Sequence, residues 1–422
     1  MIFACQKDSY LRSFKTFVTS CNPGALKRAV DGRTVTVKGY EVTFEDTVLF
    51  AEGGGQPDDR GTANGIPVLR VLRNSGKAVH FLEAPLEIGE TVELKLDWDR
   101  RYDHMQQHSG QHLITAIAED QFNLHTTSWN LGEEVSTIEL DAPSGIKPED
   151  INRLESTVNE KVRQCVPVNA RLYQPGSEEL NGVRTRMKIP DGEGDTIRVV
   201  TIEGVDSNLC CGTHVSNLSH IQVIKLLYIE KGKQGKANLF FIAGNRVFKY
   251  LSKVVDREKK MTTLLKCGPE EHAMMAEKLN QSLRLANKNA LTVLRDLAVA
   301  EAKLFTLLEP RPKFYSYHRR EGNNEFMTIF DNEVGDREVV LFLTTGDEKG
   351  AGQFLLSGPE SVVVDCGPKV CELIEGKGFF KHGRYLGKAN KLSTKAKAEE
   401  LIKNACKEAQ PQDKNMTLTS VA

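Results

Sequence analysis

His104-Met-Gln-Gln-His108-Ser-Gly-Gln-His112 sets histidines at 108 and 112 inside a run with no proline. On a helix that spacing stacks two side chains on one face, one turn apart. About a hundred positions later, Cys210-Cys-Gly-Thr-His214 repeats the spacing with a thiol and an imidazole. Three imidazoles and a thiolate make a borderline-soft nitrogen and sulfur set, suited to a tetrahedral zinc ion. The expected ligands of one Zn2+ per chain are therefore His108, His112, Cys210 and His214.

Zinc helices of metalloproteases read H-E-x-x-H, with the Glu as general base. Ser109 stands at that place, so the chain lacks the base that peptide hydrolysis by that route needs. Ligand type alone leaves a structural and a catalytic zinc both open. His104 can face the same cleft, and reads as a packing or supporting residue. Cys211 offers a second thiol, but the C-x-x-x-H spacing pairs Cys210 with His214. Asp206, four before Cys210, reads either as a turn residue or as a carboxylate that orients a ligand imidazole.

Working outward, Asp97 or Asp99 caps a helix that runs to about Gln121. Gly110 in its middle costs about 1 kcal/mol against Ala. Before this helix, residues 1–95 read as a small β-barrel. Arg33–Lys38, Tyr40–Glu45, Thr47–Phe50, Leu69–Leu72 and Ala78–Leu82 supply the strands. Gly53-Gly-Gly55 is either a plain turn or a place where backbone closely approaches something. After the helix, 96–244 reads as an α+β sandwich, with a strand from Val135, a helix from Pro148 to about Val162, and strands from Val166 and Ile197. Arg184, Arg186 and Lys188 form a short basic run that suits either phosphate contact or a solvated loop.

Residues 245–310 read as a helical hairpin. Leu279, Leu283, Ala286, Ala290, Leu294, Leu297 and Leu304 fall near heptad spacing, and the expectation is that the hairpin packs on itself. Residues 311–422 read as an α/β unit with strands at Phe326–Phe330, Val339–Thr345, Gln353–Gly358 and Val362–Cys366. Lys377, Lys381, Arg384, Lys388, Lys391, Lys395 and Lys397 interleave with Phe379, Phe380 and Tyr385, a pattern shared by tRNA surfaces and solvated helix starts. The tail from Pro411 reads as disordered. The fold class is thus α+β multidomain.

Of 422 residues, nine are cysteine, unevenly spaced and odd in number, which points to free thiols in a reducing compartment. No apolar run is long enough to span a membrane, and charge stands where a signal sequence would be apolar. A cytoplasmic location is expected. The formal net charge of −1 means that any RNA surface is a local patch.

H-S-G-Q-H followed by C-C-G-T-H resembles the H-[ST]-[AG]-x-H and C-x-G-T-H motifs of the alanyl-tRNA editing domain. Phe50-Ala-Glu-Gly-Gly-Gly-Gln56 with Asp59 and Gly61, Ser128-Trp-Asn-Leu-Gly132, and Arg198-Val-Val-x-Ile-x-Gly-x-Asp206 also match, in family order. The likeness covers about residues 50–220 and is to the long freestanding AlaX type, relatives of the editing domain of class II aminoacyl-tRNA synthetases. It implies a zinc-dependent trans-editing hydrolase that cleaves the ester of mischarged Ser-tRNA(Ala), and of Gly-tRNA(Ala), without ATP. Catalytic roles then fall to Gln56, approaching the acylated tRNA end, and to Ser109, contacting the serine hydroxyl. Gly110 would give the adenosine or the metal room at the helix.

The last unit resembles a diverged C-terminal RNA-binding domain, with Gly383-Arg-Tyr-Leu-Gly-Lys388 in place of its Gly-rich loop. No adenylate-forming segment is read, so the chain is expected not to charge tRNA. The expected partner is mischarged tRNA(Ala), with no DNA, no membrane and a monomeric chain. Two other classes fit the motifs: a non-catalytic zinc-stabilised tRNA-binding protein, and a threonyl-type editing or other small-ester metallohydrolase.

Overall fold

The computed structural model describes residues 2–30, 33–181, 183–184 and 196–408. Arg186, Lys188 and the tail from Pro411 lie outside them. The chain divides into two compact units, Met1–Lys260 and Met261–Ala422. Among the described residues both units mix helices with sheets.

In the first unit a short helix, α1 (Ala4–Lys7), precedes six strands: β1 (Ser13–Val30), β2 (Arg33–Phe44), β3 (Gly61–Ala63), β4 (Ile66–Asn74), β5 (Lys77–Leu82) and β6 (Thr91–Leu96). They close into a barrel in the order β1-β2-β5-β4-β3-β6. Val42, Val68, Val71, Leu82, Val92 and Leu94 fill it, Val68 and Val71 being three apart because the β4–β5 register shifts between Val68 and Arg70. The two alternating runs around Gly39 form one strand, not two, and Thr47–Phe50 is no strand. Thr47 instead turns its hydroxyl to the Leu49 N–H at 3.0 Å and to His80 Nε2 at 2.9 Å, which drops Val48 and Leu49 into the core.

The long helix α2 (Trp98–Phe122) follows, capped by Asp97, whose side chain accepts from the Arg100 N–H at 3.2 Å. Almost every residue from His104 to Ala118 is buried, so the helix has no polar stripe. Its glutamines act as fasteners. The Gln107 amide exchanges two hydrogen bonds with the Ala243 backbone, each 2.9 Å. Gln106 holds the His220 carbonyl and the Asn245 N–H. A Cβ on Gly110 would meet Ala243, Ile224 and Phe241 at 3.5–3.7 Å. The close approach at Gly110 is therefore to a sheet, not to an adenosine or a metal.

That sheet has the order β12-β13-β8-β7, from β7 (Thr126–Asn130), β8 (Ser136–Asp141), β12 (Ile224–Lys231) and β13 (Lys236–Ala243). A second sheet, β11-β10-β9, is built from β9 (Val168–Tyr173), β10 (Ile197–Ile202) and β11 (Asp206–Leu209). The helix α3 (Pro148–Arg163) turns Leu154, Val158 and Val162 into the core that α2 and these sheets share. α4 (Asn245–Leu265) begins beside α2, where Arg246 clasps Asp103 and the Leu131 carbonyl.

The second unit opens with α5 (His272–Thr306). Its buried seam is Ala298, Ala302 and Phe305, packed with Phe326 and Phe330, whereas Leu279, Leu283 and Leu304 of the expected heptad are exposed. The sheet that follows has the order β14-β15-β16-β18-β17, with β14 (Phe314–Arg319) parallel to β15 (Val340–Gly346). β16 (Gly352–Ser357), β17 (Lys377–Lys381) and β18 (Arg384–Ala389) complete it, with helices α6 (Asn324–Val334), α7 (Glu360–Leu373) and α8 (Lys395–Glu408).

Two expected strands are helices here. Phe326–Phe330 lies in α6, because Asn323 caps it at the Phe326 N–H (2.8 Å) and Phe326, Met327, Phe330 and Val334 share its buried side. Val362–Cys366 lies in α7, where Val362, Val363, Cys366 and Val370 recur at helical spacing against the sheet. Tertiary burial overrides β-branching in that run. Of the basic segment, Lys377, Lys381, Arg384 and Lys388 lie in the β17–β18 hairpin, whereas Lys391 follows it and Lys395 and Lys397 lie in α8.

Candidate metal centre

His108 and His112 leave one side of α2 a turn apart, and Cys210 and His214 flank a loop just after β11. Their donor atoms all lie within 4.8 Å of one another. The three imidazole rings stand 4.4, 4.7 and 5.1 Å apart between centroids. Cys210 Sγ lies 3.5 Å from His108 Nε2 and 3.2 Å from His214 Nε2. A tetrahedral ion with metal–sulfur and metal–nitrogen bonds of about 2.3 and 2.0 Å sets sulfur and nitrogen about 3.5 Å apart. The donor set thus fits one divalent ion in both chemistry and spacing.

The far sides of two imidazoles are held. The Thr213 N–H donates to Gln56 Oε1 at 3.0 Å, and Gln56 Nε2 donates to Thr213 Oγ1 at 2.9 Å. This fixes which end of the amide is oxygen, so His108 Nδ1, 2.8 Å from Oε1, must be the donor. Its Nε2 lone pair then points at Cys210. On His214, Nδ1 lies 3.2 Å from Ser109 Oγ, which also accepts from the Val215 N–H at 3.1 Å. Such outer contacts set the tautomer and aim of metal-binding imidazoles.

Gln56 and Ser109, expected to meet the substrate, are thus completely buried and turned toward His108 and His214. The Gly-rich loop sits beside them, and a Cβ on Gly55 would lie 2.5 Å from the Trp129 ring, which stands 4.9 Å from the His108 ring. That proximity is why the loop carries no side chain there. Gly212 is equally constrained, since a Cβ there would fall 2.2 Å from His108 Cε1.

Burial holds His108 and His214 well below the usual imidazole range, and the neighbouring imidazoles add to it. Burial pushes the Cys210 thiol up to about 11, against the pull of the Gly212 N–H and Arg198. Neutral imidazoles with aimed lone pairs are the form that binds metal.

Other expectations resolve differently. His104 is buried outside the cluster, with its Nδ1 unpartnered, and burial pushes it down to about 3. Cys211 is exposed, and its carbonyl accepts from Gln6 Nε2 at 2.8 Å. Asp206 orients no imidazole: it faces Arg184 at 3.3 Å. Supports that sequence reading missed come from far along the chain. Arg101, fully buried, joins Asp59 and the Val48 carbonyl (2.6 Å), tying the loop of Gln56 to α2. Arg198 holds the Cys210 carbonyl at 2.6 Å, and Ser9 Oγ accepts from the His214 N–H at 3.3 Å. Arg101 and Asp59 are 42 residues apart and Ser9 and His214 are 205 apart, so no local signal marks those pairs.

Comparison with known proteins bears on the same segments. The family model described as "Threonyl and Alanyl tRNA synthetase second additional domain" matches residues 197–242. An alanyl-tRNA editing protein of Danio rerio is 52% identical over 96% of this chain and 97% of its own length. The chain belongs to the alanyl-tRNA editing proteins. Within this family, the Mus musculus protein is 52% identical over 96% of this chain and 98% of its own. The alanyl-tRNA editing protein AlaX-L of Pyrococcus horikoshii is 30% identical over 62% of this chain and 65% of its own. Among the described residues no helix is long and apolar enough to cross a membrane.

Proposed function

We propose that this chain is a trans-editing hydrolase that cleaves the ester of mischarged Ser-tRNA(Ala), and of Gly-tRNA(Ala), with Zn2+ held by His108, His112, Cys210 and His214. The observation that carries the reading is the converged four-donor cluster, in a chain that relatives named as alanyl-tRNA editing proteins match along nearly its whole length. Held by those four side chains, zinc would supply a fixed positive charge beside the bound ester.

The chain's own residues do the positioning. Gln56 aims His108, Ser109 aims His214, and Trp129 with Gly53–Gly55 walls the His108 side. A pre-set site of this kind orients the ester without reorganising at the moment of reaction. The β17–β18 hairpin, with Phe379 exposed among lysines, gives the second unit a surface for the tRNA body. The protein works in the cytoplasm as a monomer.

Deacylation of Ser-tRNA(Ala) beside Ala-tRNA(Ala), by wild type and Cys210→Ala with zinc measured on both, tests the reading. Serine release that disappears together with the zinc supports it. A folded, zinc-loaded wild type that binds tRNA but releases no serine refutes it in favour of a non-catalytic tRNA-binding protein.

A further inference from the structure

Two residues beyond Gln56, Asp58 is fully buried, and three arginines converge on its carboxylate. Arg60 pairs with Oδ2, which also accepts the Val71 N–H at 2.7 Å. Arg70 and Arg100 approach Oδ1 only to 3.7 Å each, and Oδ1 accepts no hydrogen bond. Arg100 is tied instead through Nε to the Asp58 carbonyl, at 2.9 Å. The remaining acid in the group, Glu52, pairs with Arg70 and is itself well exposed.

By ion pairing three guanidinium groups therefore share two carboxylates and Arg100 has none to itself, since Asp59, which also feels its charge, is paired with Arg101. Their side chains keep 32, 34 and 27% of their surface open for Arg60, Arg70 and Arg100. The crowding registers on Arg60. Burial, and then the charges of Arg100 and Arg70 against the pull of Asp58, hold it below the usual guanidinium range. Asp58 anchors these cations in one place without neutralising them.

The place matters. Asp58 is two residues from Gln56, so their Cα atoms are at most about 7 Å apart, and Gln56 touches His108. Glu52 and Asp58 bracket in sequence the Gly53–Gly55 loop, whose Gly55 lies against Trp129 beside His108. Three arginines against Asp58 and Glu52 leave one positive charge in excess at this place, in a chain whose formal net charge is −1.

We propose that Arg60, Arg70 and Arg100 seat a backbone phosphate of the RNA substrate's single-stranded 3′ end, within a few nucleotides of the ester. This rests on reading the chain as acting on aminoacyl-tRNA. Guanidinium forks match phosphate oxygens in pairs, and a phosphate contact fixes register without reading sequence. The exposed Glu52–Arg70 pair is weak enough for phosphate to replace it.

The test uses the zinc-loaded full chain with Arg70→Gln and Arg100→Gln, and Arg163→Gln, in an exposed pair on α3, as control. Binding of uncharged tRNA(Ala) is followed by fluorescence anisotropy over a KCl series, together with KM and kcat on Ser-tRNA(Ala). Each of the two variants weakens binding about tenfold and lowers the slope of log K against log salt by a fraction of one phosphate's share, the double variant by up to about 0.7–0.9. KM rises while kcat holds, and the control behaves as wild type. A single methylphosphonate near the 3′ end of an acceptor-stem minihelix weakens wild type but not the Arg70→Gln Arg100→Gln double variant.

Variants that keep their zinc and circular dichroism yet bind with wild-type affinity and salt slope overturn the proposal. Competition by inorganic phosphate with no methylphosphonate effect also overturns it, in favour of a free-anion site. If Arg100→Gln does not fold, Arg70→Gln, on a barrel strand, decides alone. A wild type that binds through these arginines but releases no serine refutes the hydrolase reading and leaves the phosphate seat standing; normal hydrolysis with unaltered variants does the reverse.

Discussion

Gln56→Ala separates two roles for one side chain. If Gln56 touches the substrate, its loss lowers kcat and leaves the metal alone. The geometry argues otherwise, because the amide oxygen takes both the His108 Nδ1–H at 2.8 Å and the Thr213 N–H at 3.0 Å. Alanine leaves both donors buried without an acceptor, at about 1–3 kcal/mol each. The zinc-free chain should therefore lose about 2–6 kcal/mol of stability. Loss of an outer partner of a metal ligand costs about 10–100-fold in metal affinity.

Zinc competition against a chromophoric chelator measures the affinity, and deacylation at limiting and saturating zinc measures the consequence. The expected pattern is weak activity at limiting zinc, largely recovered at saturation. Gln56→Glu, which offers an oxygen to both donors, should hold zinc within a few-fold of wild type. Wild-type zinc affinity in Gln56→Ala together with a lost kcat at saturation would falsify this reasoning and return Gln56 to the substrate.

Three further outcomes follow from particular contacts. Gly212→Ala drives a Cβ to 2.2 Å from His108 Cε1 and 2.8 Å from Gln56 Oε1. It should cost about 1–3 kcal/mol by overpacking and displace the ring, so zinc content and melting temperature fall together. Gly110→Ala places its Cβ in ordinary contact with the sheet at 3.5–3.7 Å. Up to about 1 kcal/mol of helix propensity is gained, read as a higher melting temperature at unchanged zinc content, and a lower one would show that the helix cannot accept the methyl. Burial holds His80 in the barrel down at about 4, against 6.5 for a free imidazole. The unfolded chain takes up that proton first as pH falls, so stability present above pH 6.5 drains away toward pH 4, by about 3 kcal/mol. In denaturant titrations His80→Gln should lack that part of the slope, and an identical slope would show that His80 does not titrate there.

That His108, His112, Cys210 and His214 form one cluster was legible because both pairs are local: each needs only a four-residue spacing on a helix or a loop. The barrel strands with strict alternation were legible for the same reason. What failed was whatever burial decides. Val362–Cys366 has strand propensity and is a helix because the sheet beneath it takes residues at helical spacing. Leu279 and Leu283 keep a heptad rhythm but are exposed, while the smaller Ala298 and Ala302 make the close packing. Gln56 and Ser109 were singled out from motif position, yet which atom each faces depends on Thr213 and Val215, far along the chain. A single sequence carries no trace of such pairings.

The same long-range pairings imply that the centre is built before the ion arrives. Three chain segments meet there, and buried arginines pin each one. Arg101 holds the Gln56 loop through Asp59, Arg198 holds the Cys210 carbonyl, and Arg246 clasps α2 through Asp103. A buried arginine that keeps its partners is costly to disrupt, since breaking one pair leaves a charge unpaired at about 3–5 kcal/mol. None of these contacts uses a metal ligand's side chain. Removing zinc should therefore abolish hydrolysis while leaving far-UV circular dichroism nearly unchanged, unlike a small zinc finger that unfolds with its metal. Chelator-treated protein, checked by circular dichroism and then reloaded, gives the answer. A cooperative loss of secondary structure on chelation would mean that the ion, not the arginines, holds the three segments together.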